Sequence, residues 1–210
     1  MASHAVSHAT WLYLARLVIA SVVSASSLLR DSSEGVLASM LLSPVGEVVL
    51  PLAPAIVAGD LVESARLCAL LCASLVSMVA SGALVRVWQG RRNVTEQMKA
   101  RMAPFDMRAT WTYAAVIGCM MTSLRIGRNG AKTIGLADVG LAIAISITPP
   151  IVNAGVLWID NVRRRDAASA TKRTEGMLNS GSLALINILG IVASGLALSF
   201  VVRRRASARA

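Results

Sequence analysis

The chain has 210 residues, 55% of them hydrophobic and only 15% charged, with a net charge of +10 and a mean hydropathy of +0.64. A soluble domain carries about 25% charged residues, so composition argues against a soluble enzyme and places the chain in the membrane class. The arginines stand at the ends of apolar runs, as in Arg91-Arg92, Arg163-Arg164-Arg165 and Arg203-Arg204-Arg205. There they anchor spans and meet anionic lipid headgroups, and no nucleic-acid partner is expected.

A span needs about 20 mainly apolar residues. In chain order there are six candidates: 11–29, 35–59, 67–88, 111–124, 134–158 and 183–202, the fourth being short with room to begin near Met107. The first has no basic leading region and runs through Arg16, so it reads as a span and not as a signal peptide. The second contains Pro44, Pro51 and Pro54, and the fifth contains Pro149-Pro150; both are expected to be broken. Hydrocarbon offers no partners to a backbone, so the spans are expected to be helices.

Residues 140–148 test that expectation, because small and large side chains alternate there as in a strand. An isolated strand cannot face lipid. As a helix, Gly140, Ala144 and Thr148 form a face of small residues suited to close packing. The long polar connections are 89–110 and 159–182, each with room for a short surface helix. Asn129-Gly130 marks a turn before the fifth span.

Cys68 and Cys72 share a helix face, Cys119 stands apart, and His4 and His8 have no further ligand nearby. This is not a metal-ligand pattern, and no metal or cofactor is expected.

The two halves of the chain resemble each other. Ala9-Thr10-Trp11-Leu12-Tyr13 recurs as Ala109-Thr110-Trp111-Thr112-Tyr113, Ser43-Pro44 as Thr148-Pro149, and Val79-Ala80-Ser81-Gly82 as Val192-Ala193-Ser194-Gly195. The offsets are 100, 105 and 113, in order. The expected architecture is an all-α integral membrane protein of about six transmembrane helices, as two inverted three-helix repeats with Pro-broken second and fifth spans. Three spans per unit is an odd number, so the second unit must enter from the opposite side. The whole chain, 1–210, reads as one membrane domain: repeat one at 9–88, a polar connector at 89–108 and repeat two at 109–205.

Inverted-repeat transporters bind substrate near the midplane, where discontinuous helices of the two halves meet. Here those positions are Ser43, Pro44, Thr148, Pro149 and Pro150, with Glu47 and Asn153 each three residues past a proline. A carboxylate at depth costs about 2.5–3.5 kcal/mol on insertion scales. Two readings of Glu47 stand. It lines an ion or proton pathway with Asn153, Ser43 and Thr148, or it makes a helix–helix contact or lies near water in a re-entrant segment. Arg16 and Asp138, early in the first and fifth spans, are candidates for a charge pair between the repeats or for snorkelling to an interface.

The side holding the first, third and fifth loops carries twelve Lys and Arg residues against eight on the other. This places both termini on the non-cytoplasmic side.

The segments SMLLSPVGEVV, Gly59-Asp60, TEQMKARMAPFD (with Thr95, Glu96, Arg101 and Pro104), GLAIAISITPPIVNAG and LINILGIV resemble those of a family of hydrophobic membrane proteins known as domain of unknown function three-eight-nine. Gly46-Glu47 depart from the family's second proline after the first. The resemblance implies a polytopic membrane fold and brings no substrate with it.

The function expected is transport or channel-like conduction of an ion or small solute. The alternative is a structural or scaffolding membrane protein, a homo-oligomer or a partner- and lipid-binding protein with basic loops. Enzymatic activity is not expected, since no catalytic dyad, metal set or nucleophile elbow appears.

Overall fold

The computed structural model describes residues 2–90, 93–127, 136–163 and 167–207, with side chains over 10–90, 93–123, 147–163 and 170–205. These residues form eight helices and no strand: α1 (Ala2–Arg30), α2 (Ser33–Leu42), α3 (Gly46–Ala58), α4 (Leu61–Gln89), α5 (Glu96–Met102), α6 (Met107–Gly127), α7 (Leu136–Arg163) and α8 (Ala167–Ser207). Residues 140–148 are helical, within α7.

Among the described residues, three helices are long and apolar enough to cross a membrane: Thr10–Arg30, Leu61–Gln89 and Ala170–Arg205. The pair α2 and α3, bent by 45° at a short break, raises the number to four if it is one span. By length and composition these helices fit a membrane protein.

Local chemistry sets the turns. Asp31 adopts a left-handed φ of 59°, and Ser32 caps α2 by accepting from the Gly35 N–H at 3.1 Å. Pro44 then ends α2: the residue before a proline is pushed out of the helical region, and Ser43 is extended at ψ 123°. Gly59 closes α3 with φ 78°, and Asp60 opens α4 by accepting from the Glu63 N–H at 3.0 Å. The Gly59-Asp60 dipeptide is thus a stop followed by a start.

The pairings between helices fix their directions. Tyr13 meets Ser74 and Ser26 meets Gln89, so α1 and α4 run the same way. The α2–α3 pair returns between them. Gly82 lies on the Val152 backbone and Gly155 on that of Val79, which sets the crossing point, and Arg86 meets Asp160 further toward the C-terminus of both helices, so α7 runs with α4. Asn153 meets Ser180 and Asn161 meets Thr174, so α8 runs against α7. Gly118 packs on Ile191 and Gly190 on Ala114, so α6 runs with α8. The core is made where α4, α7 and α8 meet, with Met78, Ile147, Val152, Val156, Leu157 and Ala184 fully buried.

Two expectations are corrected. The fifth span is not broken: α7 passes through Pro149 and Pro150, just as α3 passes through Pro51 and Pro54. A proline inside a helix loses one hydrogen bond and crowds the preceding turn, at about 3 kcal/mol. Close packing of α7 between α4 and α8 holds the helix in spite of that cost. The 159–182 connection is also helical over most of its length, because α7 continues to Arg163 and α8 begins at Ala167. Its polar residues pair with one another and with α4 across the helix interface.

Candidate site where the broken span meets helix seven

Ser43 Oγ and Thr148 Oγ1 lie 2.9 Å apart, and both side chains are buried. Ser43 is the C-cap of α2, freed from helical geometry by Pro44; Thr148 sits in α7 directly before Pro149. Pro44, Pro149 and Pro150 are buried around them. The prolines have no N–H, so the carbonyls of residues 47 and 50 in α3, and of 145 and 146 in α7, lose their usual helical donor. The two hydroxyls meet between the α2–α3 break and α7. Such oxygens can coordinate a dehydrated cation or hydrogen-bond a small polar solute.

Glu47 starts α3 beside this centre. It does not point into it. Its Oε1 accepts from Arg16 Nη1 at 2.9 Å, and the two side chains remain 35% and 54% exposed. The partner of Arg16 is therefore on α3. The side chain of Asp138, its other candidate, lies outside the described residues.

Asn153 serves the connector. Its Nδ2 donates to Ser180 Oγ at 3.0 Å and to the Met98 carbonyl at 3.4 Å, while Ser180 donates to the Arg101 carbonyl at 2.8 Å. Together they hold α5 against α7 and α8. At the other end of α5, Thr95 donates to the Leu28 carbonyl at 2.6 Å and accepts from the Met98 N–H as the helix cap. Burial lowers the pKa of the Arg101 guanidinium on this helix from its ordinary value. The buried Asn153 Oδ1 has no hydrogen-bond partner among the described residues.

Sequence reasoning missed the most buried ion pair among the described residues. Arg86 Nε and Nη2 bind Asp160 Oδ1 and Oδ2 at 2.7 and 2.8 Å, with the two side chains only 2% and 6% exposed. Arg86 had the look of one more headgroup arginine, and Asp160 of a connector residue. The available signal was that each sits among apolar neighbours, Val85 and Val87 or Trp158 and Ile159, within a turn of a span end. A second basic feature lies at the opposite end of the bundle. Arg203 donates to the Val57 carbonyl, and the Arg204 guanidinium stacks 4.6 Å from the Phe200 ring, beside a shallow cavity of about 290 Å³.

No curated protein and no solved structure matches this chain significantly. A family model described as a domain of unknown function (DUF389) matches residues 40–193, which takes in the break at Ser43-Pro44, the connector, the Thr148-Pro149-Pro150 segment and most of α8. Since that match covers well over half of the sequence and contains both halves of the proline centre, the chain belongs to the DUF389 family.

Proposed function

We propose that this protein is a transporter or channel-like protein for an ion or small solute, built from two inverted three-span repeats with its pathway at the Ser43–Thr148 centre. The observation that carries the reading is the Ser43–Thr148 hydrogen bond. The two residues are equivalent in the sequence repeat, at offset 105 and each before a proline. Equivalent residues of two related units touch each other only at the axis relating the units.

Helix directions support the same reading. The helices α1, α2–α3 and α4 alternate in direction, and α6, α7 and α8 alternate in the opposite sense. Gly82 and Gly195, equivalent in the repeat, each pack against the second-span helix of the other half: Gly82 on α7 and Gly195 on Ala53 of α3. In this reading α6, with 21 residues, and α7, with 28, are the fourth and fifth spans. The excess of Lys and Arg at the α5 end supports an orientation with that end in the cytoplasm and both termini outside.

One observation favours the structural alternative: the proline centre is buried, and the Glu47 charge is already met by Arg16. In that reading the chain is a scaffold whose basic ends bind lipid headgroups or a partner.

Reconstitution into proteoliposomes separates the two. Transport predicts a flux of a monovalent cation, proton or small polar solute that Thr148→Val and Ser43→Ala both reduce. An ion and solute panel with no flux above empty liposomes, from protein shown to be folded, refutes it.

A further inference from the structure

The Arg16–Glu47 pair is in an unusual place for charge. Arg16 lies one turn beyond Tyr13, and the Tyr13 hydroxyl bonds Ser74, the fourteenth of the 29 residues of α4. One turn rises about 5.4 Å, so the pair stands near mid-depth of that span. Ionisable side chains at such depth almost always face the bundle interior, a partner or water, because exposure to lipid is costly. Yet Arg16 is half exposed and Glu47 about one-third exposed. Around them the α1 surface is apolar, with Leu12 and Ile19, one turn either side of Arg16, exposed at 51% and 58%. A single copy of the chain leaves this face uncovered among the described residues.

We propose that a second copy of this chain covers it. The argument is charge complementarity. A surface carrying one cation beside one anion is its own complement under a two-fold rotation: Arg16 of one copy faces Glu47 of the other, and the reverse. The intramolecular pair then becomes half of a closed four-charge cluster shielded from lipid, with Leu12 and Ile19 packed around it. A two-fold isologous contact needs no other partner and satisfies every charge. The inference rests on the membrane reading of the chain but not on transport, since a scaffold would dimerise through the same face.

The decisive experiment uses full-length chains with two different tags, co-expressed and extracted into lipid nanodiscs. The Arg16→Glu chain carries two acids at the site, and the Glu47→Arg chain carries two bases. Each is self-repelling, so same-variant co-purification should fall by about tenfold or more, since like-charge contacts cost several kcal/mol. The acidic and basic variants should co-purify with each other as the wild type does with itself. Should either variant fail to fold, Ile19→Cys in a chain with Cys68, Cys72 and Cys119 replaced by alanine leaves the charges intact. It should form a disulfide-linked dimer in membranes ahead of Leu189→Cys on α8. A wild type that is monomeric in nanodiscs, folded variants without mixed-pair recovery, or an Ile19→Cys chain that reacts with a water-soluble maleimide but does not cross-link would each overturn the proposal. The last outcome would mean that water covers the face. Flux is measured separately, so loss of the transport reading leaves the dimer result standing, and the reverse.

Discussion

Arg86 and Asp160 form a two-point ion pair in the interface between α4 and α7, with almost no solvent access to either side chain. Two ions taken out of water lose several kcal/mol of hydration each, and only good geometry and full pairing offset that loss. The pair therefore fixes which residues of α4 and α7 lie opposite each other. One helical turn away on α4, Gly82 sets the backbone-to-backbone contact with Val152.

Breaking this pair on one side leaves a bare buried charge. Asp160→Asn or Arg86→Gln should lower stability by about 3–5 kcal/mol. The double change Arg86→Met with Asp160→Leu should recover most of that loss, because no charge remains unpaired. Thermal unfolding in detergent, read by intrinsic tryptophan fluorescence, distinguishes the two cases. Equal destabilisation by the double and single variants would mean that the pair is not the source.

The glycines at the same interface should be unforgiving. A Cβ at Gly82 would run into the Val152 carbonyl, and one at Gly155 into the Val79 carbonyl, both backbone atoms that cannot swing aside. Gly82→Ala and Gly155→Ala should each cost about 1–3 kcal/mol through overpacking. Gly181 in α8 meets nothing within 4 Å, so Gly181→Ala should be neutral or stabilise by up to about 1 kcal/mol. Melting temperatures of the three variants, measured side by side, check the contrast.

At the proline centre, Thr148→Val leaves the buried Ser43 hydroxyl without its partner and should cost about 1–3 kcal/mol. Adding Ser43→Ala removes the stranded group, so the double variant should be more stable than the sum of the two single losses. A double-mutant cycle on unfolding gives the coupling directly. Strictly additive losses would mean that the two hydroxyls do not depend on each other.

The connector should loosen when its clamp is cut. Asn153→Ala removes the donor to Ser180 and to the Met98 carbonyl, and Thr95→Ala removes both the α5 cap and the tie to Leu28. Loss of a cap alone costs about 1 kcal/mol. Amide exchange across Glu96–Met102 should rise in both variants while exchange in the middle of α4 stays unchanged. A uniform rise through the protein would point instead to global destabilisation.

Much of this molecule is legible in its residues taken one segment at a time. Apolar runs of span length, Ser32, Asp60 and Thr95 at caps, Gly59 at a stop and Pro44 at a break act over a few neighbours, and each does what local stereochemistry requires. Ser43 and Thr148, each directly before a proline in the sequence, lie within hydrogen-bond distance of each other. Local reasoning went astray where packing opposed it. Pro149 and Pro150 are helix breakers in isolation, yet they stand inside α7, which is gripped on two sides. Asn153 and Glu47 occupy similar places after a proline, but one is buried on the connector and the other pairs with Arg16 at the surface. Sequence by itself determined the helical class, the long apolar helices and the break at Pro44, because hydrophobicity, caps and proline act through nearest neighbours. Only the tertiary structure decided that Arg86 meets Asp160 and Arg16 meets Glu47, because charges 74 and 31 residues apart find each other through helix packing and not through any pattern along the chain.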